Sequence, residues 1–170
     1  MGFKLLLISG KPSTGKTVLA KRLENELRLK GAFALAFDGN DFRRMMGEES
    51  MTRESFFKVR NFILRFIEVL REKDIILILS LVADKESFRR SLLEKSESFH
   101  VHLVAEERIL RERDEKRVYH KADMGEVYLP GYTEGYEEVA DADVILRSDT
   151  LDLEAEVFEV LTKLEKRGWI

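Results

Sequence analysis

Residues 10–17 read Gly-Lys-Pro-Ser-Thr-Gly-Lys-Thr and follow directly on the apolar run Phe3–Ser9. Gly10, Lys11, Pro12, Ser13, Thr14, Gly15, Lys16 and Thr17 satisfy the pattern G-x-x-x-x-G-K-[ST] without substitution. In such a loop the glycines let successive backbone N–H groups turn inward, and a helix starting at its end aims its positive dipole at the same point. Lys16 would bring a point charge to the β- and γ-phosphates of ATP, and the Thr17 hydroxyl is placed to ligate Mg2+. A second group of interest is Asp38, which closes the next apolar run, Phe33–Phe37, and is followed by Asn40, Asp41 and Arg43. A carboxylate there can serve a metal ion or an acceptor hydroxyl; as an alternative, it can simply cap a short helix over Asp41–Met46.

These groups need elements to hold them. Residues 3–9 predict a central parallel strand buried on both faces. Val18, Leu19, Leu23 and Leu27 recur at helical spacing from Gly15 to Lys30, and Gly31 stops the helix. Phe33–Phe37 predicts the second strand and Arg53–Lys73 a long helix, with Phe56, Val59, Ile63, Phe66, Ile67 and Leu70 along one side. A third strand over DIILILSLV, a charged helix from Asp84 to Lys95, a fourth strand over Ser98–Val104 and a helix over Ala105–Arg113 continue the alternation. ADVILRS is the fifth strand, and Leu153, Val157, Val160, Leu161 and Leu164 mark a closing helix whose glutamates, Glu156 among them, read as a solvated face. Alternating strands and helices predict an α/β fold, a five-stranded parallel sheet sandwiched by helices, with right-handed crossovers. Ligands of such sheets bind beyond the carboxyl ends of the strands, where Gly10 and Asp38 both fall.

With 170 residues, 44% hydrophobic, and no repeat or linker, the chain reads as one domain over 1–170. No apolar stretch reaches membrane-spanning length, and a net charge of −3 offers no basic field for nucleic acid. Cysteine is absent, which excludes disulfides and thiolate chemistry. A cytoplasmic enzyme with a small-molecule substrate is the expectation; a homodimer is compatible with it. His100 and His102 share a face of the fourth strand, but no third ligand stands near them in sequence, so a metal site there is disfavoured.

Two further segments carry a family resemblance. FDGNDFRR at 37–44 is similar to the L-D-G-D-N-x-R pattern that follows strand two in adenylylsulfate (APS) kinases. RDEKRVYHKADMGEV at 113–127 resembles the lid pattern R-D-x-K-x-x-Y-x-K-A-x-x-G-E-[IV] of that family, with matches at Arg113, Asp114, Lys116, Tyr119, Lys121, Ala122, Gly125, Glu126 and Val127. The resemblance implies a P-loop NTPase fold of the nucleoside-monophosphate-kinase type, with a lid over about 114–135. It also implies transfer of the ATP γ-phosphate, with Mg2+, to the 3′-hydroxyl of adenylylsulfate. Carried onto this chain, Lys16 and Asp38 would be catalytic and Asp38 would join Thr17 at the metal. Arg113, Lys116 and Lys121 would hold ATP, while Asp38, Asn40, Arg43, Arg60 and Lys121 would face the acceptor.

The acceptor segment departs from the family pattern. Asp38-Gly39-Asn40-Asp41 exchanges the second acid with the amide, so Asp41 is the stand-in catalytic acid. Glu54-Ser55 occupies an Asp-Arg position, and Val82–Lys85 replaces Ser-Pro-Tyr-Arg. A kinase for another acceptor (nucleotide, sugar or polyol) or a nucleotide-binding module that has lost transfer therefore stay open as alternatives. Residues 114–135 show no clean periodicity, as expected of a mobile lid.

Overall fold

A computed structural model describes residues 2–170. Five parallel strands, β1 (Lys4–Ser9), β2 (Ala34–Asp38), β3 (Ile76–Leu81), β4 (Glu97–Val104) and β5 (Val144–Arg147), form one sheet in the order β2-β3-β1-β4-β5. β1 is central, in register with β3 on one side and β4 on the other. Helices cover both faces of the sheet, and all six residues of β1 are buried. This is why a continuous apolar run, rather than an alternating one, marks it in the sequence.

The strand period of two divides the core. Leu6, Ile8, Ile76, Ile78, Phe99, Val101 and Leu103 point to one face and pack on helices α1 (Lys16–Leu29) and α7 (Leu153–Lys166) through Leu19, Leu23, Leu27, Val157, Val160 and Leu164. Leu5, Leu7, Leu77, Leu79 and Leu81 point to the other. They meet α2 (Gly39–Met46), α3 (Arg53–Leu70) and α4 (Glu86–Leu93) through Phe42, Val59, Ile63, Ile67, Phe88 and Leu92. Each fully buried leucine or isoleucine contributes roughly 1.5–3 kcal/mol, so both faces hold the sheet firmly. A minor cluster of Leu110, Tyr119 and Leu129 lies outside this sandwich.

The expected five parallel strands alternating with helices are present, with three local differences. Val18 is 57% exposed, because Leu19, Leu23 and Leu27 already define the stripe facing the sheet. Glu156 is buried, not solvated, and burial raises its carboxyl to about 7 against the opposing pull of Arg113. Residues 114–135 contain a helix, α6 (Val118–Asp123), after the short α5 (Glu107–Glu112). Six residues are too few for a helical period to be read from sequence. What orders α6 is the burial of Tyr119 against Leu110 and Leu129, a tertiary contact. Among the described residues, no helix is long and apolar enough to cross a membrane.

Candidate active site

The phosphate loop leaves β1 at Ser9, which is buried between two rings: its hydroxyl lies 2.7 Å from His100 Nε2 and 2.8 Å from His102 Nδ1. Having one hydrogen, the hydroxyl donates to one ring and accepts from the other. Burial, chiefly, pushes both histidines down to about 4, so they are neutral and pin β1 to β4 just before the loop. Among the described residues no group of acidic, histidine or cysteine side chains forms a metal cage.

Gly10 has φ 152°, and a Cβ there would sit 2.5 Å from the Leu103 carbonyl oxygen, so only glycine fits so close to β4. Ser13 and Gly15 take positive φ, and α1 starts at Lys16. Backbone N–H groups in such a curl, capped by a helix N-terminus, form an anion cradle. Thr14 Oγ1 donates to the Lys11 carbonyl at 2.9 Å, bracing the curl from inside.

Lys16 Nζ donates to that same carbonyl at 2.6 Å and to Thr14 Oγ1 at 3.3 Å. The residue is partly buried, and its ammonium is held within the loop by these two contacts. Burial drives its pKa down to about 7, opposed by Asp38. Anionic phosphates beside it would raise that value, so triphosphate binding takes up a proton. The sign follows: affinity is at full strength below about pH 7 and falls as pH climbs towards the higher pKa of the complex. Calorimetry of an ATP analogue at pH 8 in buffers of different ionisation enthalpy reads this directly. Uptake below about 0.2 proton per site would mean that Lys16 is already charged in the free protein.

Asp38 performs two tasks at once. Its Oδ1 accepts from the backbone N–H of Asn40 (2.9 Å) and Asp41 (3.0 Å), capping α2, while Oδ2 accepts the Thr17 hydroxyl at 3.1 Å. The cap therefore uses one carboxylate oxygen and leaves the other facing Thr17. Thr17 and Asp38 offer hard oxygens side by side, the donor chemistry that suits Mg2+ when phosphate and water complete the shell.

Asp41 is turned the other way. Its Oδ2 accepts from the Asp38 backbone N–H at 2.8 Å, completing a capping box, and its Oδ1 pairs with Arg44. It does not line the cavity, whereas Asn40 does. To present its carboxylate to an acceptor, Asp41 would have to leave the α2 cap and the pair with Arg44.

One cavity of about 490 Å³ joins these groups. It runs from Pro12, Lys16 and Thr17 past Asp38 and Asn40 to Arg43 and Arg60, and is roofed by Arg113, Lys116 and Val118. Arg113 donates to the Ser148 carbonyl at 2.8 Å, which fixes the root of the roof to the end of β5. The roof itself is tied to the loop, since the Tyr119 hydroxyl donates to the Pro12 carbonyl at 2.8 Å. Burial raises the Tyr119 pKa, so that hydroxyl stays protonated as a donor. Lys121 lies exposed on α6, outside the cavity wall, unlike Lys116. Ser9, Tyr119 and Ser148 are the supports that composition and motif spacing leave unassigned; Tyr119 alone carries a signal, as a matched position of the lid pattern.

At the far end, Ser55 is buried and its one hydroxyl hydrogen lies between the carbonyls of Ser50 (2.6 Å) and Thr52 (2.9 Å), so it stitches the turn before α3 and does not line the cavity. Phe57 is sandwiched by Arg53 (4.7 Å to the ring centroid) and Arg60 (5.4 Å), and pads the helix surface.

A phosphate cradle, an acid one strand away and a cationic roof over a shared cavity define the class: a P-loop phosphotransferase acting on a small molecule. Within that class the chain belongs to the adenylylsulphate kinase family, whose profile matches residues 2–147. It is 28% identical over 168 residues to the adenylyl-sulfate kinase of Halothermothrix orenii, covering 95% of this chain and 89% of that one. To the probable adenylyl-sulfate kinase of Pyrococcus abyssi it is 27% identical over 175 residues, covering 99% and 98%. The fold is similar to that of the Mycobacterium tuberculosis APS kinase in complex with AMPPNP and APS, with a TM-score of 0.85, 19% identity, and 96% and 98% of the two chains covered. Members of this family are ATP-dependent phosphotransferases, and this chain is an enzyme of that kind.

Proposed function

We propose that the protein transfers the γ-phosphate of ATP, with Mg2+, to the 3′-hydroxyl of adenylylsulfate, acting as a single cytoplasmic domain. The observation that supports it most is the placement of Asp38 between the two halves of one cavity, within reach of Thr17 on the nucleotide side and beside Asn40 on the acceptor side. The cradle and Lys16 hold the β- and γ-phosphates, and Arg113 and Lys116 cover them. Lys121 joins them only if α6 turns inward. Thr17 and Asp38 would hold Mg2+, which neutralises charge shared between the phosphates when bound. Asp38 takes the proton from the acceptor hydroxyl as its oxygen attacks the γ-phosphorus and ADP leaves. Asn40 orients the acceptor sugar, and Arg43 holds the acceptor's anionic end.

The test is an ATP-consumption assay offering adenylylsulfate beside nucleoside monophosphates, sugars, polyols and sugar acids. Saturable turnover with adenylylsulfate at micromolar levels is the expected result. Efficient phosphorylation of a neutral polyol, with none of adenylylsulfate, would overturn the acceptor and leave only the kinase.

A further inference from the structure

The acceptor end of the cavity is less cationic than its arginines imply. Arg60 projects from α3 into an ion pair with Asp84, and their side chains are only 12% and 0% exposed. Phe88 and Phe57 flank the guanidinium, at 5.2 and 5.4 Å from their ring centroids. Arg53 is paired with Glu134 at 2.7 Å, and Lys85 sits 3.7 Å from both Glu134 and Glu137. Arg43 differs. Its guanidinium donates to the Ser50 carbonyl and lies 4.8 Å from the Phe56 ring, with no carboxylate at ion-pair distance among the described residues. Its Nη1 is shielded and without a partner, in a residue that lines the cavity.

We propose that Asp84 is a specificity-determining residue: by holding Arg60 in a buried neutral pair, it leaves Arg43, among the described residues, as the one uncompensated cation of the acceptor site and sets how strongly anionic acceptors are preferred over neutral ones. This rests on the cavity's far end being the acceptor site. A charge change beside a shielded site is felt strongly, because little water screens it. Freed of Asp84, Arg60 would add a second cation; deprived of Arg60, Asp84 would repel an acceptor's anion. Asp84 Oδ2 already lacks a hydrogen-bond partner, so its charge is answered by Arg60 alone among the described side chains.

The experiment measures the dissociation constants of adenylylsulfate, AMP and adenosine, with ADP and Mg2+ present, for the parent, Asp84→Asn, Arg60→Gln and the double variant. Preference for the anions over adenosine is expected to rise about tenfold in Asp84→Asn and to fall about tenfold in Arg60→Gln. In the double variant an amide pair replaces the ion pair. The local charge is again zero, and preference is expected within about threefold of the parent. The double variant also guards against misfolding of either single one, since it buries no unpaired charge; thermal melts check this. A double variant that falls as far as Arg60→Gln would show that Arg60 itself grips the acceptor's anion, and would overturn the proposal. So would unchanged preference in folded Asp84→Asn. A parent that ignores adenylylsulfate refutes the acceptor proposed above, yet the AMP-to-adenosine comparison still decides the role of Asp84.

Discussion

Replacing Lys16 with alanine is expected to lower kcat at least about a hundredfold, the size typical of removing one preorganised charge from a transition state. Phosphoryl transfer spreads charge over the equatorial oxygens, and Lys16 Nζ, which rests on the Lys11 carbonyl within the loop, would supply the opposing charge when phosphates enter it. Stability should hardly change. Burial holds the ammonium at a pKa of about 7, well below the ordinary lysine value, so the folded state favours the charged form less than the unfolded chain does. Below about pH 10 the charged lysine therefore costs the native state something, and that cost is largest below about pH 7. The Lys16→Ala protein should melt within a few degrees of the parent or slightly above it. Steady-state kinetics and a thermal melt check both halves. A variant retaining most of its turnover would remove the phosphate loop from the chemistry.

The second large effect is expected at Asp38. Asparagine caps helices about as well as aspartate, so Asp38→Asn keeps the Oδ1 bonds to Asn40 and Asp41 and the protein stays folded. It loses the charge beside Thr17 and the proton acceptor, and a fall of about a thousandfold in kcat is expected, within the span of general base contributions. Asp41→Asn supplies the contrast. An asparagine oxygen can still accept from the Asp38 N–H, and the lost pair with Arg44 is exposed. Turnover should stay within about threefold of the parent, as for an exposed pair worth little. Equal losses in the two variants would mean that Asp41 leaves the cap during turnover and acts on the acceptor itself.

The nucleotide half of the site was legible because its information is local. Gly10, Gly15, Lys16 and Thr17 sit within eight residues, and strand, loop and helix N-terminus follow one another in the chain. The acceptor half was not, because its partners come from far apart. Arg60 meets Asp84 across 24 positions; on the nucleotide side too, the bond from Tyr119 to Pro12 spans 107 and is not local. A substitution such as Glu54-Ser55 could be seen in the sequence, but that Ser55 turns into the N-terminal turn of α3 could not.

By itself the sequence determined the architecture, since two-sided burial of β1 and β3 and the leucine stripe of α1 admit one layered arrangement. It also determined where an anion cradle forms, because a glycine curl ending in a helix N-terminus needs no distant partner. The tertiary structure alone decided which charges remain free. Whether an arginine binds a ligand depends on whether a carboxylate from another element reaches it first, and that depends on packing rather than on residue type. Arg60 is claimed by Asp84 and Asp41 by the α2 cap, while Arg43 and Lys116 stay open to the cavity.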